Sequence, residues 1–303
     1  CSRSGTHRPS RPGTPSSDAQ LPLVLVTADP KPPTDEPREE PTADRVNPAA
    51  DSAVDSAVDS AADSAVDRAD RFYFRQLLAG RDFATTDPVA RQMVNFVYLI
   101  GDRVTRECVV VDPAYGVHEL AAIAAADEME LTGALVTHYH PDHCGGSMMG
   151  MRIEGVTELL EIAQVPIHVQ ADEVEWVTKV TDLTAADLSG HSSGDSVMVG
   201  EIPIQLLHTP GHTPGSQCFF VNGCLVSGDT LFLDGCGRTD LPGGDPEALY
   251  YSLTQTLAQV PDDAVLFPGH MYSQAPAERL GDTRSRNVVF RPGSVEQWMM
   301  MFG

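Results

Sequence analysis

The stretch THYHPDHCGG, residues 137–146, sets three imidazoles and a carboxylate, His138, His140, His143 and Asp142, within six positions. A solvent-facing loop has no need of such a concentration. If the stretch is buried, every group requires a partner, because an unpaired buried polar group costs about 1–3 kcal/mol. A bound cation satisfies all four together, since neutral imidazole and carboxylate are common metal ligands. The fold must then bring further ligands to the same point, and the rest of the chain must contain them.

The surrounding pattern is layered α/β. NFVYLIGD (95–102) and ECVVVDPA (107–114) read as strands joined by a short polar turn, and the spacing of Leu120, Ile123 and Ala124 in VHELAAIAAADEM (117–129) predicts a helix. LTGALVTHYHPDH then predicts a strand whose carboxyl end carries the cluster, where layered α/β folds concentrate functional groups. IEGVTELLEIAQ (153–164) and ADEVEWVTKVT (171–181) read as helices flanking a strand, VPIHVQ (165–170). The chain turns β-rich in DSVMVG, IPIQLLHTPGH and QCFFVNGCLVSGD, where Asn222–Gly223 between two apolar runs signals a hairpin. DPEALYYSLTQTLAQV (245–260) reads as a helix and AVLFPGH (264–270) as the final strand. Two similar β-then-α halves, each ending in His/Asp-bearing loops, predict an αββα sandwich with a site along one edge. Residues 144–165 are long for a connection and are expected to alter the rim of that site.

The further ligands are present. HTPGHTPGS (208–216) places His212 in a tight Pro/Gly loop after a strand, LVSGDTLF (225–232) ends a strand in Asp229, and LFPGHMY (266–272) ends another in His270. Gly211, Gly228 and Gly269 precede these three residues, which lets the backbone turn sharply and aim a short side chain at one point. His118, His168, His191 and His208 read as ordinary core or surface histidines.

Over roughly residues 71–290 this set resembles the metallo-β-lactamase superfamily, whose H-x-H-x-D-H motif is met by His138, His140, Asp142 and His143. The resemblance implies an α/β fold, the αββα four-layer sandwich, with two metals. His138, His140 and His212 would hold the first, Asp142, His143 and His270 the second, with Asp229 bridging. Two divalent cations, two carboxylates and one hydroxide leave a net positive charge that can stabilise an oxyanion. A bridging water there is deprotonated near neutral pH and serves as the nucleophile. Catalytic roles then fall on Asp142 and Asp229, with no Ser or Cys nucleophile, and Cys144 beside His143 reads as a neutral thiol.

Within the superfamily, a bridging Asp argues against true β-lactamases, and an acidic surface against RNA-processing members. Two relatives remain: the glyoxalase II type, which hydrolyses S-acyl thioesters of glutathione, and the persulfide dioxygenase type, which uses one iron. GCGRTD (235–240) is similar to the dioxygenases, whereas GRTDLPGGD is closer to short bacterial glyoxalase-like hydrolases. The planar fork of Arg238 suits the carboxylate of a thiol substrate, and Tyr272 is a second candidate substrate contact. ERLGDTRSRN (278–287) offers Arg279, Arg284 and Arg286 as further cations, and the added helical domain of full-length glyoxalase II is not expected. The resulting reading is a hydrolase of S-acyl thioesters with two Zn2+ ions. The alternatives are a dioxygenase with one Fe2+ held by His138, His212 and Asp229, and a non-catalytic module that docks through its tail.

Residues 1–70 differ in kind. They are rich in Pro, Ser, Thr, Arg and Asp, and residues 51–67 run DSAV-DSAV-DSAA-DSAV-D. Such a segment buries too little apolar surface to offset its ordering entropy, so 1–70 reads as a disordered acidic tail and 71–303 as the catalytic domain. That domain carries 13 Lys+Arg against 30 Asp+Glu, a net of −17 within the −23 of the whole chain. A field of that sign repels phosphate backbones and argues for a small-molecule thiol ester as partner rather than nucleic acid. No apolar stretch reaches the eighteen or so residues of a membrane span. None of the six cysteines forms a CxxC pair, and Cys108, Cys218 and Cys224 read as reduced thiols in apolar surroundings. The expected location is cytoplasmic, or, because the sequence opens on Cys1, that of a lipoprotein anchored through that residue.

Overall fold

The computed structural model describes residues 71–148 and 150–303; the tail and its DSAV repeat lie outside the described residues. In chain order the first sheet takes β1 (Phe72–Leu78), β2 (Phe96–Asp102), β3 (Glu107–Val111) and β4 (Glu130–Leu135). After a small hairpin, β5 (Gly146–Met148) and β6 (Met151–Ile153), it continues with β7 (Ile167–Gln170) and β8 (Leu188–His191), so its spatial order is β1-β2-β3-β4-β7-β8. The first three strands pair antiparallel and the remainder parallel. The second sheet comprises β9 (Ser196–Val199), β10 (Ile202–His208), β11 (Gln217–Val221), β12 (Cys224–Gly228), β13 (Val265–Pro268) and β14 (Glu278–Arg279), stacked in the reverse spatial order. It is antiparallel except between β12 and β13.

Alternation along β2 explains the layering. Phe96, Tyr98 and Ile100 face the second sheet, packing with Val109, Val111, Ile204, Leu206, Phe219 and Val226, while Val97 and Leu99 point to the opposite side. Both faces are covered, so the strand reads as an unbroken apolar run. Helices α1 (Pro88–Met93), α2 (Val117–Ala126), α3 (Pro141–Cys144), α4 (Val156–Ile162) and α5 (Val174–Val180) belong to the first half. Leu120, Leu159 and Val177 from three of them fill the outer core of the first sheet. On the second sheet α6 (Pro246–Tyr251), α7 (Leu280–Arg286) and α8 (Val295–Phe302) contribute Leu249, Leu280 and Trp298 to a third core. The architecture is therefore the expected αββα four-layer sandwich.

Several details depart from the sequence reading. AVLFPGH is not the final strand, because the two residues of β14 pair with β13; a bridge that short leaves no periodic signal. β1 and β8 were not anticipated, since FYFRQLL carries Arg75 and Gln76 at its centre and LSGH is only four residues long. The long connection after the histidine cluster contains the β5–β6 hairpin. The Asn222–Gly223 hairpin forms as expected, with positive φ at both residues (46° and 77°), as a type I′ turn requires. Among the described residues, no helix is long and apolar enough to cross a membrane.

Candidate metal centre

Four strand tips deliver the seven residues to one edge of the sandwich. His138, His140, Asp142 and His143 follow β4, His212 lies between β10 and β11, Asp229 directly follows β12, and His270 lies just beyond β13. Hydrogen bonds between the two sheets lock these tips together: Gln217 N–H donates to Thr137 O (2.9 Å) and Phe96 N–H to Gly269 O (2.8 Å). The glycines have two distinct functions. Gly228 turns the chain with φ 48°, as read from sequence. Gly269 has no positive φ; it is needed because a Cβ there would come within 2.4 Å of Asp229 Oδ1 and 3.0 Å of His143 Cε1.

The imidazoles of His138, His140 and His212 form a triangle with all three ring centroids 4.7 Å apart. His143 Nε2 lies 3.1 Å from His270 Nε2, and His270 Nε2 lies 3.5 Å from Asp142 Oδ2. Asp229 reaches both groups, with Oδ2 at 3.6 Å from His212 Nε2 and 3.4 Å from His270 Nε2, and Oδ1 at 3.4 Å from His143 Nε2. Ligands of one tetrahedral ion at 2.0–2.1 Å are about 3.3 Å from one another, so these separations suit cation sharing. Three overlapping sets could hold a metal ion: His138/His140/His212, His138/His143/Asp229 and Asp142/His143/His270.

Orphaned atoms test the fit. His138 Nε2 and Asp229 Oδ1 are buried and have no hydrogen-bond partner, a cost that a cation removes. Three outer nitrogens are occupied: Nδ1–H of His143 donates to Asp112 (2.9 Å), that of His212 to the Arg238 carbonyl (2.7 Å), and that of His270 to the Met93 carbonyl (2.8 Å). Each bond keeps Nδ1 as the donor and turns Nε2 inward, the orientation that metal-binding histidines require. The Met93 carbonyl is free for this because Val94, at φ 51°, ends α1 there.

The surrounding charges divide the histidines. Burial and neighbouring imidazoles hold His138 well below the usual range and bring His140 down to about 4; burial also lowers His212. Burial acts on His143 in the same sense, but Asp142, Asp229 and Asp112 outweigh it and push the ring up to about 10. His270 is raised too, Asp229 prevailing over burial. For Asp229 burial works upward, yet His270 and His143 hold the carboxyl well below the normal range.

Three supporting residues escaped the sequence reading. Asp112, at the end of β3, accepts from Thr137 N–H and Oγ1–H (2.7 Å each) as well as from His143. VVVDPA carries no signal of this role; in the structure the φ of 54° at Asp112, rare for residues other than Gly, marks the position as constrained. Asn95 donates to Asp142 Oδ2 (3.1 Å). Glu173, buried before α5, accepts from Tyr139 N–H (2.7 Å), Thr213 Oγ1–H (2.7 Å) and Gly215 N–H (2.6 Å), tying the His138–His143 loop to the His212 loop. In ADEVEWV it is indistinguishable from the acid of an exposed helix face.

The other expectations resolve as follows. His118 is exposed, His168 bonds His191 (2.8 Å) and His208 donates to Pro214 O (2.9 Å), so none of them joins the cluster. Cys144 is buried against Tyr139 O, and burial raises its thiol well above the usual range. Arg238 and Tyr272 both line a cleft of about 590 Å³ above the ligands. Tyr272 stacks on His270 (centroids 4.6 Å apart, planes 6° apart), whereas the fork of Arg238 is taken up by both oxygens of Asp240 at 2.6 Å each. Arg284 is bound to Asp262 and the Val260 carbonyl, and Arg286 to Glu278 and Asp234.

The sequence model of the family described as "Metallo-beta-lactamase superfamily" matches residues 91–270. The chain is 25% identical over 197 residues to the "Probable polyketide biosynthesis zinc-dependent hydrolase PksB" of Bacillus subtilis (strain 168), a match covering 65% of this chain and 82% of that one. It is 32% identical over 191 residues to the "Probable hydroxyacylglutathione hydrolase glo2" of Schizosaccharomyces pombe, covering 61% and 66%. To the human mitochondrial "Persulfide dioxygenase ETHE1" it is 28% identical over 225 residues, covering 70% and 80%.

Proposed function

The chain belongs to the metallo-beta-lactamase superfamily, and on that premise we propose that it is a two-zinc hydrolase of S-acyl thioesters. The observation that carries this reading is the Asp229 carboxylate, which faces His212 with one oxygen and both His143 and His270 across its two oxygens. A single carboxylate so placed suits two ions rather than one. In this reading His138, His140 and His212 would hold the first, Asp142, His143 and His270 the second, with Asp229 shared between them. When bound, the ions supply a water deprotonated near neutral pH and Lewis-acid stabilisation of developing oxyanion and thiolate charge.

The protein's own residues do the rest. Asp112 and Thr137 orient His143 and His138, and the Arg238 and Met93 carbonyls orient His212 and His270. Asp142 and Asp229 offset the cation charge. Tyr272, and Arg238 through its aliphatic stem, serve as contacts for the substrate in the cleft. A thiolate leaves readily without protonation, so this reading calls for no general acid. The unpaired thiols of Cys108, Cys144, Cys218, Cys224 and Cys236 fit a reducing, cytoplasmic setting.

A second reading, a mononuclear-iron persulfide dioxygenase using His138, His212 and Asp229, is favoured by the similarity to ETHE1 over 80% of that protein. The discriminating experiment is an anaerobic assay of thiol release from a panel of S-acyl thioesters. Chelator-sensitive release is the expected result. Failure to release thiol there, with oxygen uptake on glutathione persulfide in a parallel aerobic assay, would replace the first reading with the second.

A further inference from the structure

Resting on the thioester reading, we infer that the cleft selects an apolar acyl chain on an uncharged thiol, and disfavours the dicarboxylate thiol glutathione. The cleft above the ligands is walled by Met93, Met148, Phe232, Leu241, Pro242 and Tyr272. Its volume of about 590 Å³ is far larger than the ligand cluster needs and is large enough for an acyl chain of several carbons. Met148 comes from the β5–β6 hairpin, so the long connection after the histidine cluster supplies part of the wall. Tyr139 O–H donates to the Pro242 carbonyl (2.8 Å) and so holds the Leu241–Pro242 segment against the ligand loop.

The charges around this cleft do not suit a carboxylate. Apart from the ligand histidines, Arg238 is the one basic side chain among the described residues that line it. Its Nε and Nη2 both donate to Asp240, and the pair is exposed (63% and 66%). Such a pair contributes little free energy, but it leaves the rim with no net positive charge. Asp234, the acid on the lining outside the ligand set, is bound by Ser273 and Arg286, and Arg286 is shared with Glu278, so this corner is net negative. A domain with a net charge of −17 adds a field of the same sign. On this rim an anionic thiol carrier therefore meets repulsion without a free side-chain cation to offset it, while an alkyl chain meets side chains that release water.

The test compares esters of one acyl group on two thiols, with the full chain loaded with zinc. S-Hexanoyl-N-acetylcysteamine should exceed S-hexanoylglutathione in kcat/KM at least about tenfold at low ionic strength, and added salt should narrow the gap. From acetyl to hexanoyl on N-acetylcysteamine, kcat/KM should rise by up to about fourfold per methylene. Leu241→Asp, and Met148→Asp from a separate segment, should flatten that rise. Equal or better use of the glutathione ester, or no rise with chain length, overturns the inference. Calorimetry with the thioethers S-hexyl-N-acetylcysteamine and S-hexylglutathione separates it from the hydrolase reading. Tighter binding of the neutral thioether without cleavage of any ester would remove the hydrolase assignment and leave the cleft's selectivity standing; tighter binding of the glutathione thioether would remove the selectivity.

Discussion

Asp229→Ala is expected to abolish metal-dependent turnover, by at least about 10³-fold, and to leave the sandwich folded. Asp229 is the residue that faces both histidine groups, within 3.4–3.6 Å of His143, His212 and His270. Its loss removes the proposed bridge and the charge that holds His270 above its usual range. The three hydrophobic cores do not include it, so little packing is lost. His140→Ala should behave alike by opening the triangle with His138 and His212. Turnover, bound metal per chain and circular dichroism together check the result. Native turnover in either variant would remove that residue from the site.

The second large effect is on pH. Binding of the cation at Asp142, His143 and His270 should weaken about tenfold per unit as pH falls from about 9 to about 6. Binding at His138, His140 and His212 should stay nearly flat over the same window. The sign follows from the two sets of histidines. His143, pushed up to about 10, carries a proton through that window when no cation is bound, and a cation must displace it. The displaced proton is the one at Nε2, because Asp112 retains the one at Nδ1 (2.9 Å). His140, down at about 4, is already neutral and loses nothing on binding. Zinc titrations in two buffers of different ionisation enthalpy would report the protons released at each step. Proton release at neither step, or equal release at both, would contradict the assignment.

The seven clustered residues were legible because each lies beside a recognisable local signal. The apolar run of β4 ends in the histidine cluster, Gly228 turns the chain before Asp229, and Pro/Gly loops carry His212 and His270. The resemblance to the family put them in one register. What holds the ligands was less legible. Asp112 and Glu173 act through contacts between segments, 31 residues apart in sequence for Asp112 with His143 and 42 for Glu173 with Gly215, and no periodicity reports such a distance. Arg238 shows the same limit on the substrate side. Its type suited a carboxylate, but its neighbour two residues on, Asp240, occupies the fork. Gly269 was singled out correctly for the wrong physical reason: it makes room for Asp229 and His143 rather than a turn.

The measurement that bears most directly on the central claim is metal content per chain. It requires mass spectrometry on protein purified anaerobically without added metal. The two-ion hydrolase requires about two zinc ions per chain, lost together with thioester cleavage on chelation. About one iron per chain, with little zinc, would contradict it.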